Sequence, residues 1–281
     1  MRRFRRQLGT ATAYLGLVPY LGFALFPFYW MLLTSLRSNA EIYDVAHLAF
    51  WVQRGVTLQH YTALLTHSQF LRWFWNSLVV SLVATALSVV LSVFAAYGLV
   101  RIPFRGSAGF SIGIFITYLV PPTLLFIPLS RVVTALRLGD SLLALIATYP
   151  TFIVPFCTWL LMSYFATIPK ELEESAIVDG ANRGQVLAKI ILPVALPGVV
   201  TTALFSFTLA WGEFIYAMTF IASGPHKTLT AGTVAELIRG DVFYWGPLMA
   251  GALLASVPVV VAYGFLMDYY VSGLVAGATK G

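Results

Sequence analysis

The chain has 281 residues, 59% of them hydrophobic and 10% charged, with a formal net charge of +6. Soluble domains carry roughly a quarter charged residues, so this composition excludes a soluble globular protein and indicates a polytopic membrane protein. The Lys and Arg residues cluster at the ends of apolar segments, where they set orientation in a bilayer, and no nucleic-acid partner is expected. The single cysteine, Cys157, lies inside an apolar run, cannot form an intrachain disulfide, and reads as a small packing residue.

Arg2, Arg3, Arg5 and Arg6 precede an apolar run over 11–36. That run is long enough to cross a bilayer, at roughly twenty residues per crossing. No small-residue cleavage site follows it, so it reads as a retained first helix with its N-terminus in the cytoplasm. Residues 37–71 form an external loop carrying Arg37, Glu41, Asp44 and Arg54, together with His47, His60 and His67. The three histidines share no helix face, and no cysteine or carboxylate spacing supports a metal. They read as solvated surface, and no metal site is expected.

The second crossing covers about 74–100. Ser81, Thr85, Ser88 and Ser92 recur at i, i+4, i+7 and i+11 on one face of it. Such a stripe lets membrane helices pack closely; lining a pathway is the alternative. The third crossing, about 110–129, contains Pro121, Pro122 and Pro128; the fourth, about 142–165, contains Pro150 and Pro155. Prolines kink spanning helices, and two kinked helices in succession suggest a translocation core. The fifth crossing covers about 198–221. An external segment of 223–246 precedes the sixth, about 247–267, which has Pro258 near its middle and a cytoplasmic tail after it. The expected fold class is therefore an all-α polytopic membrane protein with six transmembrane helices and both termini in the cytoplasm. Ten of the 17 Lys and Arg residues fall on the inner side of that arrangement.

Between the fourth and fifth crossings lies a long charged loop, 166–197. Pro169 can sit in a first helical turn, and Glu171, Glu173 and Glu174 follow where negative charge favours a helix N-terminus. Asp179-Gly180 ends that helix with a residue able to take the left-handed conformation. A second short helix is predicted from about Asn182 to Ile191, closed by Pro193 and Pro197. Glu174-Ser175-Ala176, Gly180 and Ile190-Ile191-Leu192-Pro193 resemble the cytoplasmic signature of ATP-binding-cassette importer permeases. That family's loop reads Glu-Ala-Ala, three residues, Gly, then about nine residues to an Ile-x-Leu-Pro. Ser175 replaces the central Ala, small for small. Asn76-Ser77, Ala95-Ala96-Tyr97-Gly98 and Arg101 are similar to the same family. The tail with Gly273, Gly277, Ala278, Lys280 and Gly281 resembles that of the second permease of maltose-type sugar importers. Trp211-Gly212-Glu213-Phe214 is similar to that group's Trp-Asn-Glu-Phe. Gly212 departs from it, so no substrate role is carried onto that position. The resemblance covers about residues 70–281.

The resemblance implies a single permease domain over 1–281 that forms half of a translocation pathway. The implied partners are a sister permease, two ATPase subunits, an external solute-binding protein and a sugar-like solute. The implied location is the cytoplasmic membrane of a bacterium or archaeon. This chain is not expected to be an enzyme or to bind a cofactor; ATP and Mg belong on the ATPase subunits, and the sequence has no P-loop. Coupling to the ATPase is implied for Glu171, Glu173, Glu174, Ser175, Ala176, Asp179, Gly180, Ala181, Arg183 and Pro193, and a tail contact for Gly277, Lys280 and Gly281.

Thr202, Ser206, Trp211, Glu213 and Tyr216 are candidate pathway residues. Glu213 falls about fifteen residues into the fifth helix, roughly 22 Å up at ~1.5 Å per residue. That places it inside a hydrocarbon layer of ~30 Å, so it should face the protein interior or a wet cavity. Two readings stay open: it accepts hydrogen bonds from solute hydroxyls beside Trp211 or Tyr216, or it pairs with a neighbouring helix and fixes the fold. Two other functions are weighed. A peptide or phosphonate permease is disfavoured by the tail, and an ion-coupled secondary transporter would need repeats or several intramembrane charges.

Overall fold

The computed structural model describes residues 2–44, 50–102 and 104–278; His47, Lys280 and Gly281 lie outside them. Helix α1 (Arg2–Ser35) exposes nearly every large apolar side chain from Tyr14 to Leu32, the surface of a helix solvated by lipid tails. The short helices α2 (Asn39–Ile42) and α3 (Gln59–His67) come after it. Helix α4 (Phe70–Arg101) has 32 residues, ~48 Å at ~1.5 Å per residue, which outruns a hydrocarbon core of ~30 Å.

Helices α5 (Ser107–Leu119) and α6 (Pro122–Ala135) meet at a bend of 97°, so the third crossing is not one kinked helix over 110–129. Two consecutive prolines explain the break. Val120 precedes Pro121 and is driven to extended backbone, with ψ 120°, while Pro122 occupies the first turn of α6, where its missing N–H costs nothing. Helices α7 (Leu142–Thr148) and α8 (Pro150–Phe165) run on through Tyr149 as one span. Next come α9 (Glu171–Val178), α10 (Arg183–Val186), a π-helical stretch Leu187–Ile191, and α11 (Leu192–Val194). Pro193 therefore does not close the second loop helix. The ladder widens in the five residues before this proline, which has no N–H to give, and helical structure continues to Val194.

After an 80° bend comes α12 (Leu196–Trp211), which stops well short of the expected end at 221. Gly212, Glu213 and Phe214 separate it from α13 (Ile215–Phe220). Helix α14 (Leu229–Leu237) leads into a hairpin of β1 (Ile238–Arg239) and β2 (Val242–Phe243), with Ile238 opposite Phe243. Helix α15 (Trp245–Ala278) continues through the expected tail as far as Ala278. Among the described residues four helices are long and apolar enough to cross a membrane, or six if each bent pair counts as one span.

The chain forms two compact units, Met1–Phe70 with Thr233–Val257 and Leu71–Gly232 with Pro258–Gly281. In the first, Glu41 is buried beside the Arg37 guanidinium at 3.2 Å and accepts from the backbone N–H groups of Gln53 and Arg54. His60 is buried too, not solvated as expected: its Nε2 lies 2.8 Å from the carbonyl oxygen of Arg37, and Gly246 packs on its ring.

In the second unit, α5 and α12 both pack on α8. One apolar cluster joins α4, α7, α8 and α13 around Tyr149, Ile153 and Tyr216. Another joins α4, α8 and the loop through Tyr97, Leu161, Phe165, Ala176 and Ile191. The stripe Ser81, Thr85, Ser88 and Ser92 is buried, and the Ser92 hydroxyl donates to the Val154 carbonyl at 3.2 Å. Helix α12 approaches α8 closely at Gly198, where a Cβ would fall 2.5 Å from the Tyr164 ring. Gly198→Val should therefore cost about 1–3 kcal/mol through overpacking. This reads as a lower melting temperature in detergent, partly recovered by adding Tyr164→Ala. An unchanged melting temperature would contradict the packing of α12 on α8.

Candidate functional site

The loop 166–197 is ordered by its own sequence. Glu171, Glu173 and Glu174 occupy the first turn of α9, where carboxylates complement the helix dipole. At its other end Gly180 has φ +88°, with bonds from Gly180 N–H to Ile177 O (3.0 Å) and from Ala181 N–H to Ala176 O (2.9 Å). That pair closes a helix on a left-handed residue, and glycine takes the conformation without a Cβ penalty. Helix α10 opens with a capping box: the Asn182 side chain accepts from Gln185 N–H at 3.0 Å, and Gln185 Oε1 accepts from Asn182 N–H at 2.9 Å. Together these make two short helices around a fixed corner.

The two faces of α9 differ in chemistry. Glu171, Leu172, Glu174, Ser175, Ile177, Val178 and Asp179 are exposed, as are Arg183 and Pro193 beyond them, and Ala181 is half-buried. Three bare aliphatic side chains among carboxylates form a surface that water alone satisfies poorly. Glu173 and Ala176 face inward. Glu173 is thus not part of the exposed carboxylate set expected from sequence. Its Oε1 lies 3.1 Å from Nε of Arg101, with the side chains only 6% and 3% exposed. The Tyr97 hydroxyl donates to Glu173 Oε2 at 3.4 Å, and Arg183 hydrogen-bonds the same hydroxyl. The Arg101 guanidinium also donates to the carbonyl oxygens of Phe165 and Ile168, where α8 ends. Sequence reading missed Tyr97 and Arg101 as site residues. Their signal was a lone Arg closing a long apolar run, read there only as an orientation charge.

The pathway candidates divide among three surroundings. Thr202 and Ser206 are buried, and each donates to the carbonyl four residues back in α12. The Ser206 hydroxyl also lies 2.8 Å from Cys157 Sγ on α8. Trp211 is buried, stacked on Phe207 at 5.6 Å and edge-on to Phe74 at 5.5 Å. Glu213 and Tyr216 belong together. Glu213 is not within a continuous helix but in the break after α12, where it caps α13. Its Oε1 accepts from Tyr216 N–H at 2.7 Å, and its Oε2 accepts from Ala217 N–H at 3.1 Å and from the Tyr149 hydroxyl at 2.9 Å. The Thr230 hydroxyl holds its backbone carbonyl at 2.6 Å. Tyr216 is buried against Phe152 and donates to the Pro122 carbonyl at 3.1 Å.

A third carboxylate, Asp140, closes the other end of α13. It accepts from Ala222 N–H (3.0 Å), Ser223 N–H (2.8 Å) and the Ser223 hydroxyl (2.9 Å), while its own N–H donates to Phe220 O. The Ser223 N–H above all, helped by its hydroxyl, holds the exposed Asp140 carboxyl below the usual carboxylate range. Gly277 falls in the last turn of α15. Among the described residues no three His, Cys, Asp or Glu side chains gather as a metal site.

A helical membrane protein with a structured, partly apolar loop between its spans is built as a transport subunit. The chain belongs to the family of binding-protein-dependent transport system inner membrane components, which matches residues 88–275. It is 36% identical over 279 residues to the inner membrane ABC transporter permease protein YcjP of Escherichia coli K12, covering 99% of each chain. It is 34% identical to the sulfoquinovosyl glycerol transport system permease protein SmoH of Agrobacterium fabrum, over 92% of this chain and 89% of that one. A chain of a bacterial ABC transporter involved in the import of the acidic polysaccharide alginate has the same fold. It aligns with a TM-score of 0.79 at 21% identity, over 94% of this chain and 97% of its own.

The caps can be tested one by one. Glu213→Gln leaves one acceptor oxygen where two served three donors, so it should destabilise by about 1–3 kcal/mol, with Tyr149→Phe costing less. Equal melting temperatures for all three proteins would remove the cap from the account. For Asp140 the folded value is depressed, so its contribution is fully present above the unfolded value and is lost as pH falls through the folded one. Asp140→Asn should flatten that acid limb of the melting-temperature profile.

Proposed function

We propose that this chain is the permease subunit of an ATP-driven importer for a sugar or sugar-like solute. It works beside a sister permease, two ATPase subunits and an external solute-binding protein. The observation that carries this reading is α9: a short helix with Leu172, Ile177 and Val178 exposed among Glu171, Glu174 and Asp179, its opposite face anchored by Glu173. Such a helix suits a cleft on a partner. Its tethering between spanning helices suits the transmission of a rigid-body movement.

In this reading α9 docks on one ATPase subunit, with Ser175, Ala176, Gly180, Ala181, Arg183 and Pro193 shaping the contact and the corner behind it. ATP and Mg bind the ATPase subunits, and this chain holds no cofactor. ATP closes the ATPase pair, α9 moves with it, and the pathway opens toward the binding protein. The tail residues Gly277, Lys280 and Gly281 lie against the ATPases. Both termini and the loop face the cytoplasm. The pathway runs along α12 and its break. Thr202, Ser206, Trp211, Glu213 and Tyr216 are wall positions in this reading, because their polar atoms and rings are engaged with α4, α8 and α13. The sugar assignment is supported by relatives named for a sulfosugar glycoside and for alginate.

Copurification tests the assembly: the tagged permease should bring down an ATPase and a second permease. ATP hydrolysis by that complex, screened across sugars with its binding protein, should then rise with a carbohydrate. Recovery of the permease alone, or stimulation only by peptides or phosphonates, would overturn the reading. At Gly180 the positive φ makes a β-branched residue cost about 1–2 kcal/mol locally. Gly180→Val should abolish transport while the permease stays in the membrane; normal transport would sink the docking of α9. For orientation, in a Cys157→Ala background, an impermeant thiol reagent should label Gln53→Cys from outside. It should reach Gln185→Cys only after the membrane is opened, and the reverse pattern would turn the protein over.

A further inference from the structure

We propose that Arg101 is a positioning residue for energy coupling, the joint through which movement of α9 reaches the spanning helices α4 and α8. The inference rests on the reading that α9 docks on an ATPase. Arg101 is the last residue of α4 and is buried. Its guanidinium touches two other elements at once: the Glu173 carboxylate of α9, and the carbonyl oxygens of Phe165 and Ile168 that end α8. Tyr97, one turn earlier on α4, reaches the second oxygen of Glu173, and Arg183 of α10 reaches Tyr97. The cluster therefore ties both loop helices to the ends of two spans.

The chemistry suits a joint better than a simple tether. A guanidinium presents five donors in a planar fork, so one side chain can hold a carboxylate and two carbonyls in fixed relative positions; a lysine ammonium is a point charge that cannot. Arg101 Nε and Glu173 Oε1 lie close without the alignment of a hydrogen bond, so charge attraction rather than direction holds that side. In this dry setting, withdrawing Glu173 from Arg101 leaves two uncompensated charges, which is far costlier than moving both together. Movement of α9 therefore carries the ends of α4 and α8 with it. Glu174, one residue later, is exposed on the outer face, so adjacent carboxylates divide between an outward contact and an inward joint.

The test uses the full complex in vesicles with its binding protein and solute, and reads solute moved per ATP hydrolysed. Arg101→Lys and Glu173→Gln should assemble and hydrolyse ATP, with that ratio lowered about tenfold, within the 5–150-fold span usual for coupling between sites. Tyr97→Phe, which leaves no charge unpaired, should lower it less and serves if the other variants fail to assemble. A ratio unchanged in every assembled variant would overturn the proposal and reduce the cluster to a fold contact. A cross-link from Val178→Cys to the ATPase separates the two ideas. Its absence in the otherwise unaltered complex removes the docking reading. Its presence with an unchanged ratio removes the joint alone, and its loss only in the Arg101 and Glu173 variants means that the loop has collapsed, which also counts against the joint.

Discussion

A hydrocarbon environment supplies no water to a broken helix, and that constraint organises this protein. Each interruption frees backbone N–H and C=O groups that must find partners inside the chain. The breaks here are closed by side chains brought from elsewhere. Glu213 receives the N–H groups that open α13, Asp140 receives those beyond its C-terminus, and Arg101 donates to the carbonyls that end α8. Three ionisable residues in a chain with few of them thus stand at three helix ends. Their charge also suits the site: carboxylates meet backbone N–H donors, and the guanidinium meets carbonyl oxygens.

This arrangement links the loop to the spans. Helix α9 is short and would be marginal alone. It persists because Ala176 and Glu173 are buried beneath it while Gly180 and the Asn182–Gln185 capping box fix its far corner. The exposed face is then free to be apolar, since stability comes from behind. A family of transport subunits that exchanges movement with partners needs such a combination: an outward surface held by an inward anchor.

Local features were legible in the sequence; long-range ones were not. The acidic first turn of α9 and the glycine corner depend on residues within a few positions of each other, and each formed where expected. Pro121-Pro122 was visible, yet one proline kinks a helix and two in succession, acting through Val120, turn it by 97°. The three glutamates of α9 look alike in sequence. Which one turns inward depends on Arg101, far away in the chain, and periodicity carries no such information. His60 is the same case, buried because the Arg37 carbonyl meets its ring. Glu213 was placed within a helix because an apolar run continues past it. The run does continue, but Gly212 weakens the helix and a carboxylate able to cap the next one stands directly after it.

The π-helical stretch Leu187–Ile191 sets the angular phase of α12. A π turn holds one residue more than the α turn it replaces, so it acts as an insertion absorbed without a loop. Removing one residue there would let the ladder revert to α form and rotate α12 about its axis by roughly 100°. The buried edge formed by Gly198, Thr202 and Ser206 would swing away from Tyr164 and Cys157, carrying neighbouring Leu and Val side chains inward. The interval between the Gly180 corner and the Leu192-Pro193 pair is therefore a phase setting. It can tolerate changes of residue far better than a change of length, and the outward reach of α9 and the inward register of α12 are specified by the same count.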